Sequence, residues 1–352
     1  MGRGPFRGEG GMVMTSKEII RRIVEHDAPV RFGFDFSDPA YRDLTGVASR
    51  RYKAQSLWKN PYDKWGNYPE LKKLTGFSGE VRMDLHRNIY GRFNGKTKGE
   101  CIRGAITDWS EADNYFIPKL DPSFRQELLA RNIGASDKFV ITSIGSLFSQ
   151  LRDARLIANA LADTVEEPEA LRAFMDRITD HEVEAIRIFS GCGIDAAVIA
   201  DDWGTQDRTF ISPNAFRSLF KPYYKKVADA LHEGGMKFFM HSCGYIYAFI
   251  EDLIEVGVDA LQFDQPDVYP TETLALEFAR RVTFWSPVDI QKVLPTGDRA
   301  VIETRAREMC ELFRAAGGGF IAKDYPTYGD IGVDPEWAVW ARDVIVRNSR
   351  LP

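Results

Sequence analysis

The chain has 352 residues, of which 44% are hydrophobic and 28% are charged, so it can bury a large core and is not disordered by composition. Its net charge is −5 and no Lys/Arg-rich run occurs, which argues against a nucleic-acid or anionic membrane surface. No apolar stretch approaches the roughly 20 residues that a membrane span requires. Four scattered cysteines favour a reducing compartment over a disulfide framework. We therefore expect a soluble cytoplasmic protein that binds neither nucleic acid nor membrane.

The N-terminal part of the chain divides into a tail and a segment of mixed character. Residues 1–14 are rich in glycine and are interpreted as a flexible tail, which leaves residues 15–352 as one domain. Thr15 and Glu18 have the spacing of a capping box and predict a helix that starts there, and a first strand follows within 29–36. Residues 37–135 are an elaboration with scattered aromatic residues, in which 80–93 indicates a β-hairpin.

From residue 138 onward, short β-branched runs alternate with helical patterns. The strands are predicted at 138–142, 195–200, 237–241, 258–263, 282–286 and 319–323, and the helices at 168–190, 213–233, 246–256, 271–281, 299–315 and 335–347. Strands that alternate with helices imply a parallel sheet, and with the first strand they number seven. We predict an α/β fold, a single (β/α)8 TIM barrel, whose eighth strand lies within the elaborated N-terminal segment.

The clearest chemical motif is His241-Ser242-Cys243-Gly244, at the end of a predicted strand. Active sites of such barrels lie at the carboxyl ends of the strands. An imidazole and a thiol two residues apart can bind one zinc ion, which prefers nitrogen and sulfur ligands and needs a third protein ligand in a catalytic site. The alternative is a buried His and Cys used only in packing. We favour metal binding by His241 and Cys243.

A second motif, residues 201–206, directly follows another strand and begins with two adjacent acids. Two carboxylates placed together are costly unless they orient a cation or hydrogen-bond a ligand. The alternative role, capping a helix, is less attractive because the next helix begins near Ser212-Pro213. We predict that Asp201, Asp202 and Gln206 form the catalytic group.

Two further strand ends carry polar residues. They are Gln262-Phe263-Asp264-Gln265 and Lys323-Asp324-Tyr325. Each could contact a substrate or cap a loop backbone. The pocket rim is expected to be aromatic and apolar, formed by Phe34, Phe36, Trp203, Phe263 and Trp285. The predicted substrate contacts are Phe34, Asp35, Trp203, Asp264, Trp285 and Tyr325.

Several of these runs, taken together, resemble the uroporphyrinogen decarboxylase superfamily, and more narrowly its branch of corrinoid-dependent methyltransferases. The residues that carry the resemblance are Asp201 to Gln206, Phe210 to Pro213, Phe220 to Tyr223, His241 to Gly244, Gly257-Val258-Asp259, Trp285 and Gly318 to Ile321. The resemblance implies a (β/α)8 barrel in which His241 and Cys243 bind Zn²⁺. In that branch the third ligand is usually a cysteine after the last strand. Here Asp324 occupies that neighbourhood, and a carboxylate is an acceptable zinc ligand.

The resemblance leaves three hypotheses for function. The first is a methyltransferase that moves a methyl group between a small substrate (a methyl ether, as in an O-demethylase, an amine or a thiol) and a corrinoid, a cobalamin held by a partner protein. The second is a decarboxylase or other lyase that acts on a small carboxylated substrate, and the third is a non-catalytic binding barrel. The decarboxylase that names the superfamily has an arginine-rich segment after its first strand. Residues 31–37 are mostly apolar instead, which disfavours a porphyrinogen with eight carboxylates.

Overall fold

The computed structural model describes residues 14–47, 52, 57–93 and 99–352, and the predicted tail before residue 14 lies outside them. Eight parallel strands form a nearly closed barrel with helices around it, so the predicted fold class is confirmed. The strands are β1 (Gly33–Asp35), β2 (Leu44–Gly46), β3 (Glu80–Met83), β4 (Ile89–Arg92), β5 (Glu100–Arg103), β6 (Phe139–Ser143), β7 (Ala196–Ala200), β8 (Lys237–His241), β9 (Ala260–Gln262), β10 (Thr283–Ser286) and β11 (Phe320–Lys323).

The barrel strands follow the order β1-β11-β10-β9-β8-β7-β6-β2. All seven predicted strands are present, and the eighth is β2, inside the elaborated segment as expected. The barrel closes between β1 and β2, where the Asp43 N–H donates to Phe34 O at 2.7 Å. A buried ion pair between Arg31 and Asp43, also at 2.7 Å, reinforces the same junction.

The helices mostly match their predicted ranges. They are α1 (Ser16–Val24), α2 (Pro69–Thr75), α3 (Phe124–Ala130), α4 (Phe148–Arg155), α5 (Ile157–Glu166), α6 (Pro168–Phe189), α7 (Pro213–Leu219), α8 (Lys221–Glu233), α9 (Tyr247–Val256), α10 (Thr271–Thr273), α11 (Arg299–Ala315) and α12 (Pro335–Arg347). No helix in the described ranges is long and apolar enough to cross a membrane.

Two predicted helices differ from the structure. The helix predicted over 213–233 is two helices, because the chain breaks at Phe220 just before Pro222, which cannot donate the backbone hydrogen bond that a continuous helix needs. The helix predicted over 271–281 is only a single α-helical turn, followed by a π-helical turn over Leu274–Phe278. Neither difference moves a strand of the barrel.

The elaborated segment contains a small antiparallel sheet. Strands β3, β4 and β5 pair in sequence, so the predicted hairpin is confirmed and has a third strand. The barrel interior itself is filled by alternate strand residues, among them Leu44, Phe139 and Phe239, in one cluster with the apolar face of α1. The Lys17 backbone N–H on α1 donates to the carbonyl of Asp137, just before β6, so α1 covers the amino ends of the strands. The carboxyl ends are therefore the end at which a site can open.

Candidate metal centre and cavity

A cavity of about 470 Å³ lies at the carboxyl ends of the barrel strands. This volume is in the range of small-molecule sites. Of the described residues, those that line it are Asp35, Ser37, Arg42, Val198, His241, Gln262, Asp264, Trp285, Lys323, Asp324 and Pro326. Six barrel strands contribute a side chain each, so the cavity is a product of the closed barrel and of no single loop.

Three potential metal ligands converge beside this cavity. The side chains of Asp202, His241 and Cys243 place one oxygen, one nitrogen and one sulfur atom within 4.8 Å of one another. His241 Nε2 is 3.4 Å from Cys243 Sγ and 3.4 Å from Asp202 Oδ1. An N, S, O donor set of this kind fits Zn²⁺.

The local backbone explains why these three residues meet. β7 and β8 are neighbours in the barrel, so Asp202 and His241 leave it side by side. The Cys243 N–H donates to Asp202 Oδ1 at 2.8 Å and fixes the two loops together. Gly244 has a φ of +80°, and a Cβ at that position would lie 2.2 Å from Gly204 O, so only glycine permits this close approach.

Electrostatics couple two of the three ligands. Burial would lower the pKa of His241, but its hydrogen bonds with Asp202 and Cys243 outweigh burial and raise that pKa to about 10. Burial would raise the pKa of Asp202, and the His241 imidazolium, the Cys243 N–H and the Arg152 guanidinium instead lower it to about 2. Without a metal, the pair is therefore a carboxylate that faces an imidazolium at neutral pH.

A chain of buried hydrogen bonds runs away from His241 on the side opposite the donor cluster. Its Nδ1 contacts Gln262 Oε1, and Gln262 Nε2 donates to Asp264 Oδ1 at 2.7 Å. Lys323 Nζ donates to the same Asp264 oxygen at 2.8 Å. Because an ionised carboxylate only accepts, Gln262 must turn its NH₂ to Asp264 and its oxygen to His241. His241 then donates from Nδ1, and Nε2 is left to face Cys243 and Asp202.

The structure places Asp202, rather than Asp324, beside the His241–Cys243 pair. The Asp324 carboxylate accepts hydrogen bonds from the Ser37 N–H at 2.6 Å and from the Tyr328 hydroxyl at 3.1 Å. It lines the cavity, but within the described part of the chain it belongs to no group of potential metal ligands. The sequence predicts Asp202 as a catalytic residue, not as a metal ligand. The signal for a ligand is its position directly after β7, the strand next to β8 in the barrel.

The other two residues of the predicted catalytic group lie outside the metal-ligand cluster and, like Asp202 itself, outside the cavity lining. Asp201 is fully buried and accepts from the Leu147 N–H, the Ser149 N–H and the Tyr224 hydroxyl at 2.7–2.9 Å. It therefore fixes the loop after β6. Gln206 is exposed in a turn in which the Thr205 N–H bonds Arg208 O. Of the three, the structure brings Asp202 alone to the metal-ligand cluster.

The expected aromatic rim is not formed. Of its five members, Trp285 lines the cavity and the other four are buried in the core. Trp203 stacks on Phe148 at 3.8 Å and donates to Tyr224, while Phe263 packs on Tyr269. The physical reason is that these rings turn outward from the barrel, beneath the surrounding helices. Most of the residues that line the cavity are polar or charged instead.

The remaining predicted substrate contacts fall into two groups. Asp35 and Asp264 line the cavity, whereas Phe34 is buried in the core against Phe36 and Tyr41. Tyr325 is half-buried next to two lining residues but is not itself in the lining. Ser37 and Arg42 were missed, because nothing in their sequence neighbourhood distinguishes them from ordinary loop residues.

The fold and the donor cluster define the class of protein: an α/β barrel whose strand ends bring together potential nitrogen, sulfur and oxygen ligands for a metal. The sequence profile of the uroporphyrinogen decarboxylase (URO-D) family matches residues 140–323, more than half of the chain. The chain therefore belongs to this family, and the family predicted from the motifs is confirmed. A search of curated proteins finds no significant match.

Among solved structures, the chain resembles a methyltransferase from Methanosarcina mazei, with 14% identity and a TM-score of 0.55, over 94% of this chain and 98% of that one. A chitinase from Chromobacterium violaceum matches with 10% identity and a TM-score of 0.34, over 86% of this chain and 98% of that one. At 14% identity the likeness to the M. mazei structure concerns the fold alone, since barrels support many chemistries.

Proposed function

We propose that this protein is a zinc-dependent methyltransferase that moves a methyl group between a small methylated substrate and a corrinoid carried by a partner protein. The observation that carries the proposal is the group of Asp202, His241 and Cys243 beside a cavity of substrate size. The M. mazei structure, whose barrel this chain resembles over nearly its whole length, is that of a methyltransferase.

The three residues would hold zinc through Asp202 Oδ, His241 Nε2 and Cys243 Sγ, with Asp202 as the third ligand in place of Asp324. Zinc bound there would act as a Lewis acid on the heteroatom that carries the methyl group. Gln262 holds the imidazole by its Nδ1. The Cys243 N–H holds the carboxylate of Asp202. The site is thus oriented by its own backbone and neighbours before a metal arrives.

A decarboxylase is the second candidate, because the family profile is that of uroporphyrinogen decarboxylase. The cavity wall weighs against a substrate with many carboxylates. Apart from the His241–Asp202 pair, it presents the carboxylates of Asp35, Asp264 and Asp324 against the cations of Arg42 and Lys323. A polycarboxylate would therefore meet more negative than positive charge.

The proposal is tested by metal analysis followed by a methyl-transfer assay. The purified protein is expected to contain about one zinc per chain, and the double variant His241→Ala/Cys243→Ala none. The protein is then incubated with reduced cobalamin and a panel of methyl ethers, amines and thiols, and the expected result is zinc-dependent growth of the methylcobalamin absorbance. Release of carbon dioxide from a carboxylated substrate without methylcobalamin would favour the decarboxylase. If no reaction occurs but a ligand binds, the chain is a binding barrel.

A further inference from the structure

Asp35 differs from the other carboxylates in the cavity wall. Asp264 is paired with Lys323 at 2.8 Å, and Asp324 accepts from Ser37 and Tyr328. Across the described ranges, no Lys or Arg nitrogen pairs with the carboxylate of Asp35. Its two nearest cations are engaged elsewhere, since Lys323 bonds Asp264 and Arg42 donates to Phe36 O at 2.8 Å and to Ser37 O at 3.2 Å.

Trp285 adds a second unsatisfied group at the same wall. This side chain is 8% exposed, lines the cavity and carries an indole N–H that is buried without a hydrogen-bond partner in the described part of the chain. Burial raises the pKa of Asp35, and Lys323, Arg42 and the Trp285 N–H oppose that effect only in part. The indole N–H therefore lies on the Asp35 side of the cavity, without reaching hydrogen-bond geometry with the carboxylate. A ligand that completes this wall would bring a positive charge to the Asp35 carboxylate and an acceptor atom to the indole N–H.

The charges of the site indicate which kind of ligand would complete this part of the cavity wall. Zinc, when bound, balances the negative charges of Asp202 and the Cys243 thiolate. The three carboxylates of the lining outnumber its two cations, so one negative charge remains. Neither Asp35 nor Asp324 forms an ion pair within the described residues, but Asp324 accepts hydrogen bonds from the Ser37 N–H and the Tyr328 hydroxyl, which leaves Asp35 as the carboxylate that a ligand can pair with. A ligand with a single positive charge would neutralise the cavity.

We propose that the substrate is a small organic monocation, with an ammonium group held by Asp35 against the Trp285 ring and a methyl-bearing heteroatom turned toward Cys243 and His241. The inference rests on the proposed function and narrows its substrate class. The face of Trp285 already accommodates a cation, because Lys323 Nζ lies 5.8 Å from the ring centroid. The cavity volume of about 470 Å³ admits a ligand of this size.

The test compares choline with its neutral carbon isostere, 3,3-dimethylbutan-1-ol, by calorimetric titration of the zinc-loaded protein. The two probes have nearly the same shape and differ in one positive charge. We expect choline to bind at least about tenfold more tightly than the isostere, as is typical when a charge pair is formed away from bulk water. In Asp35→Asn, choline affinity should fall to that of the isostere, and the affinity for the isostere should stay within about twofold.

Asp38→Asn is the matched control, because Asp38 is three residues away, pairs with Arg342 at 3.4 Å and lies outside the cavity lining. It should keep the preference for choline. Circular dichroism and the melting temperature show whether each variant folds, and Asp35→Ser gives a second variant should Asn at position 35 disturb the fold. Equal affinity for the two probes in the wild type, no saturable choline binding, or an unchanged preference in folded Asp35 variants would each overturn the inference.

Repeating the titration after removal of zinc with a chelator separates this inference from the proposed function. A preference for choline without methyl transfer would support the cation site and contradict the proposed methyltransferase activity. Formation of methylcobalamin without a preference for choline would support the methyltransferase and contradict the cation site.

Discussion

The hydrogen bond from His241 Nδ1 to Gln262 predicts how a residue outside the ligand set controls metal affinity. In Gln262→Met the side chain keeps its length, but the imidazole N–H loses its acceptor and Asp264 loses one of its donors. A buried donor left without a partner costs about 1–3 kcal/mol. Neighbours that orient a ligating histidine typically change metal affinity about 10–100-fold when they are replaced. We therefore expect zinc to bind Gln262→Met about 10–100-fold more weakly, which is a loss of about 1.4–2.7 kcal/mol in the free energy of zinc binding.

The measurement is a zinc competition titration against a chromophoric chelator, together with nitrogen-15 NMR of the histidine rings. In the zinc-bound state both proteins should carry the proton on His241 Nδ1, and in the variant the Nδ1 resonance should shift because that N–H has lost its acceptor. Gln150→Met is a matched control. Gln150 accepts a hydrogen bond from the Tyr115 hydroxyl at 2.9 Å but lies outside the cavity lining, so its loss should alter stability and leave zinc affinity unchanged. Wild-type zinc affinity in Gln262→Met, together with an unshifted Nδ1 resonance, would refute the reasoning.

Three further predictions concern the ligands and the loops that hold them. Asp202→Asn should lower zinc affinity by at least about tenfold because a neutral amide is a poorer ligand, whereas Asp324→Asn should leave it nearly unchanged; the same competition titration decides between them, and the reverse order would make Asp324 the ligand. Asp201→Asn should lower the free energy of unfolding by about 1–3 kcal/mol in urea titrations, because its amide N–H₂ would face donors; an unchanged free energy would contradict the structural role. Zinc uptake at neutral pH should release a proton from His241, whose pKa is raised to about 10 by Asp202 and Cys243 despite its burial. Apparent affinity should then rise about tenfold per pH unit for each proton released, up to a pH near that pKa, and calorimetry in buffers of different ionisation enthalpy counts the protons. An affinity independent of pH would show that His241 is already neutral in the metal-free protein.

The sequence alone was sufficient for the architecture and for two members of the donor cluster. Alternation of β-branched runs with helical patterns is a local property, and it predicted seven barrel strands and the existence of an eighth. His241 and Cys243 are two residues apart at a strand end, so their proximity follows from the short connection between them. The family followed from the motifs that surround them, and the profile match over residues 140–323 confirms it.

The third donor and the character of the cavity depended on tertiary structure. Asp202 is 39 residues before His241 in the chain. The two meet because β7 and β8 are neighbours whose register places Ala200 opposite His241. The series of hydrogen bonds from His241 through Gln262 and Asp264 to Lys323 likewise joins the ends of three separate strands.

The predicted aromatic rim shows the same limit of prediction from sequence, because its residues were expected in the cavity wall and most of them lie in the core. Trp203 follows a strand end just as Asp202 does, yet it packs outward against Phe148 while Asp202 turns toward the metal-ligand cluster. Near a strand, successive side chains point to opposite faces, so a single-residue difference decides between core and cavity. Composition and spacing cannot specify that face. It is fixed by the register of the closed barrel and by the helices that cover the outward side.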